Sequence, residues 1–497
     1  MSTAKKFAGQ TAIYGVSTIA GRVLSFFLTP VYTNTKAYAP AAYGILTTMF
    51  SYASILNAVM SFGMETTFFR YLNKHEDDKQ RVYNNAFAAV VSISILFLLC
   101  TLPFKENIAS MIKVGNSTSH ADFLKFINYF IAVLVIDAWC VIPFAKIRAE
   151  GRPGRYGILR FINIIIFISL NLVFIWGIPF WIRHQLVGSN WISHWYVHGW
   201  VGYVFLSNLV ASIVTFILVL PELLKIRFEL DVAMLKNMFI YSWPVLIANL
   251  SYIVNENLDK LLLGKLLPQS ISVHDVGIYG ACAKIAVFLS IFVQAFRLGA
   301  EPFFFSHAKN KNAGQTYARI MDYFVIAVCV IFVALISNIE ILKYFIPNKK
   351  YWVGLDVVPP LVFGYVSLGI YMNLSVWYKL SDQTKYGLYI SGVGAILTIV
   401  LNVLFIPKYS YMASAWASLI AYTVMMILSY IWGQKNYPIP YNVKKNLAYI
   451  ISSILIVFLS FYIFKRNIFA GDALLLLYAL AAFYFERRDL KAIFSKR

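Results

Sequence analysis

Long apolar runs follow one another along almost the whole chain, and they restrict the fold more than any other feature. A helix needs about 20 mostly apolar residues to cross the hydrocarbon core of a bilayer. The runs that approach this length lie near residues 10–33, 41–68, 82–102, 123–145, 156–178, 199–220, 238–266, 277–305, 317–338, 357–378, 386–406, 411–432, 446–464 and 469–485. The sequence therefore predicts an all-α polytopic membrane protein with about 14 transmembrane helices, numbered here as spans 1 to 14.

The composition indicates that lipid is the solvent for much of the surface. Hydrophobic residues make up 60% of the chain and charged residues 13%, whereas soluble domains carry about 25% charged residues. The net charge of +21 would suggest a nucleic-acid partner in a soluble protein, but here the basic residues lie between apolar runs. In a polytopic protein such residues occupy cytoplasmic loops, so we expect no nucleic-acid partner.

Lys and Arg are concentrated in every second segment between the spans. The first of these segments holds Lys5 and Lys6, and the last holds Arg487, Arg488 and Lys491. Because cytoplasmic loops carry the excess of positive charge, this distribution predicts a multi-pass protein with both termini in the cytoplasm.

The cysteines and histidines give no sign of a metal centre. All four cysteines fall inside predicted spans, where the side chain behaves as a small apolar group. His194 and His198 have i,i+4 spacing, but no third ligand is evident, and their loop is rich in Trp. We interpret that loop as an aromatic belt at the interface and expect no metal and no cofactor beyond H+ or Na+ coupling.

An internal repeat predicts how the spans are organised. The pattern Tyr-Gly, a long apolar run and Gly-x-Glu-x-x-Phe-Phe occurs twice and aligns without a gap, starting at Tyr43-Gly44 and Tyr279-Gly280. The copies fall on spans 2 and 8, so the two halves share one orientation, as in transporters built from parallel repeats. We predict two parallel six-helix lobes around a central cavity, residues 1–224 and 225–434, followed by a helix pair and basic tail, 435–497.

Basic side chains inside the spans are the candidates for substrate binding, because a charge in hydrocarbon costs about 2.5–3.5 kcal/mol on insertion scales. They are Arg22 in span 1, Lys260 in span 7, and Lys284 and Arg297 in span 8. In a water-filled cavity these cations would hold an anionic substrate, since guanidinium and ammonium donors suit phosphate oxygens. The alternative is mutual neutralisation, because Glu256–Lys260 and Arg297–Glu301 both have i,i+4 spacing.

Acidic side chains are candidates for gating or ion coupling. They are Glu65 and Glu301 at equivalent positions of the repeat, Glu256 and Asp259 in span 7, and Asp137 in span 4. Glu65 and Glu301 would pair with basic residues at the inner mouth or bind a coupling ion, or they are interfacial carboxylates. Asp137 is either a proton or sodium site or a hydrogen-bonded contact between helices.

Three stretches carry a family resemblance. They are residues 9–30, the Tyr43-Gly44 start of span 2, and Arg148-Ala149-Glu150-Gly151-Arg152 ahead of Tyr156. In their order and topology they resemble the polysaccharide flippases of the multidrug/oligosaccharidyl-lipid/polysaccharide exporter superfamily, over nearly the whole chain. The resemblance implies flipping of an undecaprenyl-diphosphate-linked oligosaccharide across a bacterial inner membrane by alternating access, driven by an ion gradient or the membrane potential. It matches the family's cavity cations to Arg22 and to the basic residues of spans 7 and 8.

The same resemblance implies that spans 13 and 14 form a groove for the lipid tail. The expected partners are a polyprenyl-diphosphate-linked glycan, membrane lipid and polysaccharide-assembly proteins. We expect a monomer, because the two lobes already supply an interface. Three alternatives stay open: a lipid II flippase, a cation-coupled multidrug exporter of the same superfamily, and a membrane polysaccharide polymerase. An exporter is expected to have twelve spans and an acidic cavity, and a polymerase is expected to have a large external loop or an acidic metal motif.

Overall fold

The computed structural model describes residues 23–24, 26–113, 118–227, 229–307, 312–381 and 383–494, and within them the chain is helical with no strand. The helices of the first half are α1 Leu28–Tyr32, α2 Pro40–Ser61, α3 Met64–Lys74, α4 Lys79–Thr101, α5 Lys105–Ile112, α6 His120–Ala149, α7 Pro153–Leu172, α8 Ile178–Arg183, α9 Ser189–Trp195, α10 Gly202–Leu223 and α11 Val232–Leu266. Those of the second half are α12 Ser272–His307, α13 Ala313–Ser337, α14 Ile339–Leu342, α15 Val358–Leu374, α16 Val376–Leu380, α17 Lys385–Tyr409, α18 Tyr411–Asn436, α19 Val443–Phe458 and α20 Ile468–Phe494.

The helices coincide with the predicted spans and confirm an all-α polytopic membrane fold. Among the described residues, 12 helical segments are long and apolar enough to cross a membrane, and they match predicted spans 2 to 6 and 8 to 14. Span 7 forms the single long helix α11, and among its described residues Val232–Ile247 is an apolar segment shorter than a membrane span. The first half of span 1, including Arg22, lies outside the described residues.

The chain divides into two compact units. The first comprises Met1–Gly280 and Asn402–Ser410, and the second comprises Ala281–Leu401 and Tyr411–Arg497. The division falls within α12, directly after the Tyr-Gly of the second repeat copy. The lobe boundaries predicted at residues 224 and 434 stay predictions.

In the first unit, α11 packs along α2 and α3. The hydroxyls of Thr67 and Ser242 are 2.8 Å apart in the buried contact, and the Arg70 guanidinium lies 3.9 Å from the centre of the Tyr241 ring. Hydroxyl pairs of this kind let helices associate in lipid, where no hydrophobic force drives them together. The first half of α11 is thereby anchored to α3.

Span 2 contains a break that the sequence analysis did not predict. Helix α2 ends at Ser61, the next two residues have positive φ (47° for Phe62 and 67° for Gly63), and α3 begins at Met64. A side chain at Gly63 would also lie 2.9 Å from a methyl carbon of Val245. The repeat glycine is therefore required both for its backbone conformation and for the approach of α11. The second repeat copy differs, because α12 is continuous.

The glycines of the two Tyr-Gly motifs, together with Gly277, allow α2 and α12 to cross at backbone contact. A Cβ added at Gly44 of α2 would lie 1.9 Å from the carbonyl oxygen of Val273 in α12, and one added at Gly277 would lie 1.8 Å from that of Pro40. Gly280 faces the Thr47 side chain in the same crossing. Small residues permit such close approach in membrane helices, so the two Tyr-Gly motifs of the repeat belong to one packing contact.

In the second unit, α15 packs against α18, while α13 packs against α19 and α20. The nearly buried Glu486 of α20 accepts hydrogen bonds from Lys445 at 2.6 Å and from Tyr449 at 3.0 Å. The last two helices are thereby tied to each other as well as to α13. A π-helical turn, Leu459–Ile463, continues α19 at the end of span 13.

Candidate functional site

The predicted cationic residues fall in different parts of the structure. Arg22 lies outside the described residues. Lys260 belongs to α11 in the first unit, whereas Lys284 and Arg297 belong to the part of α12 that lies in the second unit. Glu301 lies on α12 as well, but its side chain is outside the described set, so its pairing with Arg297 stays a prediction.

Lys260 forms an ion pair, but its partner is Asp259. The Lys260 ammonium lies 2.9 Å from the Asp259 carboxylate and donates to the backbone carbonyl of Glu256 at 2.6 Å. Asp259 is 3% exposed and also accepts a hydrogen bond of 2.6 Å from the hydroxyl of Tyr279. The i,i+4 pair of Glu256 with Lys260 is thus replaced by a buried network between α11 and the Tyr of the second repeat copy.

Two acidic candidates have partners on neighbouring helices. Glu65, in the first turn of α3, pairs with Arg148 near the end of α6. Asp137 in the middle of α6 lies near Ser212 of α10 and Arg160 of α7. Glu65 therefore joins a basic side chain, as the gating hypothesis requires. The role of Asp137 stays a prediction, either as an ion site or as a contact between helices.

A fully buried carboxylate that the sequence analysis missed lies at the end of α10. Glu222 is 0% exposed, and its carboxylate is 2.9 Å from Arg152, 2.9 Å from Arg155 and 3.0 Å from Lys225. Its backbone carbonyl accepts the Tyr83 hydroxyl at 2.9 Å. An acidic residue directly after an apolar run, in a chain where basic residues prevail, was the available signal.

The same cluster raises the pKa of one guanidinium. Arg152 is bonded to Glu150 as well as to Glu222. Burial by itself would lower the pKa of Arg152, but the hydrogen bonds and negative charges of these two carboxylates raise the pKa above its ordinary value. Arg152 belongs to the motif that carries the family resemblance. Its positive charge is therefore compensated by the Glu222 carboxylate at the end of α10.

Arg297 lies at a pocket of the second unit, together with residues that the sequence analysis did not select. The pocket is open on one side and contains about 330 Å³ of space when the adjoining solvent is included. Its polar lining residues are Arg297, Asn373, Ser375 and Lys379, and the others are apolar. Lys379 directly follows predicted span 10, residues 357–378, and in the structure it lies on the short helix α16. Asn373 was detectable as a polar residue within an otherwise apolar run.

The break between α15 and α16 positions Lys379. Helix α15 ends at Leu374 and α16 begins at Val376. The Trp377 side chain, 1% exposed, donates from its indole nitrogen to the backbone carbonyl of Ser429 at 3.0 Å. Because the indole anchors α16 to α18, the ammonium two residues later is held at the pocket.

Comparison with known proteins places these features in a family. Residues 7–300 match the family described as polysaccharide biosynthesis protein, and residues 244–404 match the MatE family. No match is found among curated proteins.

Solved structures share the fold at low sequence identity. The lipid II flippase MurJ in an inward closed conformation has a TM-score of 0.73 at 15% identity, covering 96% of this chain and 100% of that one. An inward-facing multidrug resistance MATE family transporter of the MOP superfamily has a TM-score of 0.64 at 12% identity, covering 86% and 94%. A MATE protein in complex with MaD3S has a TM-score of 0.60 at 12% identity, covering 86% and 95%. The chain belongs to the polysaccharide biosynthesis protein family, within the superfamily of multidrug, oligosaccharidyl-lipid and polysaccharide exporters.

Proposed function

We propose that the protein is a flippase that moves an undecaprenyl-diphosphate-linked oligosaccharide from the inner to the outer leaflet of the bacterial cytoplasmic membrane. The transported glycan serves the biosynthesis of a cell-surface polysaccharide. The protein acts by alternating access, as a monomer with both termini in the cytoplasm, and it catalyses no covalent reaction.

The extent of the fold similarity carries this proposal. The match to the lipid II flippase spans 96% of this chain and all of that protein, whereas the matches to the MATE transporters span 86% of this chain. A fold shared over its full length with a flippase of a lipid-linked precursor favours a lipid-linked cargo over a small drug. The family match over residues 7–300 favours polysaccharide assembly over peptidoglycan.

The charge within the membrane segments is compatible with a diphosphate cargo. Lys260 and Lys284 are partly buried and Arg297 is exposed on the long helices α11 and α12, and cations within such helices attract phosphate oxygens. A cation-coupled exporter is expected to present carboxylates to its cargo instead.

Complementation in two bacterial strains tests the function. In a strain that lacks its oligosaccharide flippase, wild-type protein is expected to restore surface polysaccharide. Lys284→Glu and Arg22→Glu are expected to reduce it at least about tenfold, because each places a carboxylate where the diphosphate binds. The measurement is surface polysaccharide per cell at equal protein abundance in the membrane.

Lys36→Glu is the matched control, since Lys36 is exposed and lies between α1 and α2, outside the spans. It is expected to restore polysaccharide like the wild type. Rescue of growth in a strain depleted of its lipid II flippase, without restored polysaccharide, would favour the lipid II alternative. Resistance to cationic dyes alone would favour the exporter, and rescue of a polymerase-deficient strain would favour the enzyme.

We propose that coupling to H+ or Na+ uses the buried network of α11. Asn255 and Asp259 are each 3% exposed and lie one helical turn apart, so their oxygens share a face. The variant Asp259→Asn keeps the shape but removes the charge that balances Lys260. It is expected to abolish the stimulation of transport by an imposed ion gradient in proteoliposomes.

Asp77→Asn is the control for this variant, because Asp77 is an exposed acidic residue between α3 and α4, outside the membrane segments. Its transport is expected to keep the dependence on the gradient. If the Asp259→Asn protein responds to H+ and Na+ gradients like the wild type, the coupling assignment is wrong.

A further inference from the structure

The pocket of the second unit combines several hydrogen-bond donors in an apolar setting. Its walls come from α12, α13, α15 and α16, with Phe296, Phe304, Phe324 and Met372 as the large apolar side chains. The polar side chains are those of Arg297 and Lys379, which have no acceptor atoms, together with Asn373 and Ser375. The Ser375 hydroxyl donates to the backbone carbonyl of Met372. A pocket with these donors favours a ligand that offers several acceptor oxygens.

The amide of Asn373 points independently to a ligand. The side chain is 7% exposed, and its amide nitrogen has no hydrogen-bond partner within the described structure. Buried donors are nearly always paired, so an unpaired one at a pocket requires an explanation. An acceptor oxygen from a bound molecule would satisfy this nitrogen.

Close helix packing gives the pocket its form. A Cβ added at Gly369 of α15 would lie 2.8 Å from a methyl carbon of Val293 and 2.9 Å from the ring of Phe324. Helix α15 therefore approaches α12 and α13 closely one turn before Asn373, and the residues of this contact form part of the pocket wall. The anchored Trp377 holds α16 on the other side. The donors are thus carried by packed helices rather than by a loop.

We propose that Arg297, Lys379 and Asn373 form a binding site for a phosphate group of a membrane lipid. Phosphate oxygens accept several hydrogen bonds at once, and the low dielectric of the aromatic walls strengthens their attraction to both cations. The proposal rests on the flippase function in so far as the phosphate belongs to the lipid-linked diphosphate. A phospholipid headgroup or free phosphate offers the same chemistry, and the experiment separates these sources.

Binding of radiolabelled probes to the purified full-length protein tests the site. The probes are polyprenyl diphosphate in nanodiscs of phosphatidylcholine, inorganic pyrophosphate, and inorganic phosphate. A phospholipid arm measures competition when phosphatidylglycerol replaces part of the phosphatidylcholine. Lys379→Gln and Asn373→Leu are each expected to weaken binding of the preferred probe about tenfold. Lys379→Arg is expected to retain binding, because it keeps the cationic donor.

Lys385→Gln is the matched control, since Lys385 is an exposed basic residue at the start of α17 that does not line the pocket. It is expected to bind like the wild type. Thermal unfolding of every variant shows whether weak binding reflects a lost fold, and Asn373→Leu keeps the number and branching of the heavy atoms in the side chain.

The outcomes separate this site from the flippase function. Unchanged binding of every probe by both pocket variants overturns the site, even if the protein restores surface polysaccharide. Weakened binding by both variants supports the site, even if complementation fails and the flippase function is wrong. Competition by phosphatidylglycerol without binding of polyprenyl diphosphate identifies the phosphate as a phospholipid headgroup.

Discussion

Replacing Glu222 by glutamine is expected to lower the midpoint of thermal unfolding by about 3 °C. The buried carboxylate lies within 3.0 Å of Arg152, Arg155 and Lys225, so its loss leaves three positive charges without their shared partner. Removing one partner of a buried ion pair costs about 3–5 kcal/mol. The cations have side-chain exposures of 33%, 34% and 53%, so solvent screens part of this repulsion and the lower end of the range applies.

Cysteine reactivity can follow this unfolding in detergent. Cys140, Cys282 and Cys329 are buried and become reactive towards a fluorescent thiol probe as the protein unfolds, whereas Cys100 is exposed and is replaced by serine. Glu150→Gln is the matched control, because Glu150 contacts the same Arg152 but is 39% exposed. Its midpoint is expected to shift by less than half as much. Equal midpoints for the two glutamine variants would show that burial of Glu222 adds nothing to the cluster.

The second large effect is expected at the crossing of α2 with α12. Gly44→Ala and Gly277→Ala each add a methyl group where a carbonyl oxygen of the facing helix lies within 1.9 Å. The obstacle is backbone, which cannot rotate away, so the helices must separate along the contact. Overpacking of this kind costs about 1–3 kcal/mol, and we expect the upper end, which corresponds to a fall of about 3 °C in the unfolding midpoint.

Two further glycine-to-alanine variants give unfolding midpoints for comparison. Gly280→Ala meets only the Thr47 side chain, which can change rotamer, so its effect is expected to be intermediate. Gly392→Ala on α17 meets nothing within 4 Å and is expected to leave the midpoint unchanged or slightly raised. If Gly44→Ala and Gly392→Ala unfold at the same temperature, close contact at the crossing is not what stabilises this region.

The helices were predictable because their cause is local. Backbone groups in hydrocarbon must form their hydrogen bonds within the segment, so a run of apolar residues becomes a helix whatever its neighbours are. The break at Phe62 and Gly63 was not predictable in this way. It depends on Val245 of α11, which is far away in the sequence but against which a side chain at Gly63 would collide.

The partners of the charged residues were less predictable than their positions. Sequence spacing favoured Glu256 as the partner of Lys260, yet the ammonium lies against Asp259 and a backbone carbonyl. Arg297 was selected because a cation within a span is costly, but nothing in the spacing connected it with Lys379 or Asn373. All three residues line one pocket, and Lys379 reaches it from α16, which begins after the break at the end of α15.

By itself, the sequence determined the membrane class, the run of helices, the repeat and the cations that the bilayer makes costly, since each follows from composition or from spacing along one segment. The tertiary structure alone decided which of these charges are compensated. The Glu222 carboxylate forms ion pairs with the basic side chains around it, and Asp259 forms an ion pair with Lys260. The buried amide of Asn373 lines the same pocket as Arg297. The physical reason is that the free energy of a charge in a membrane depends on the groups within a few ångströms of it. Helix packing supplies those groups from distant parts of the chain.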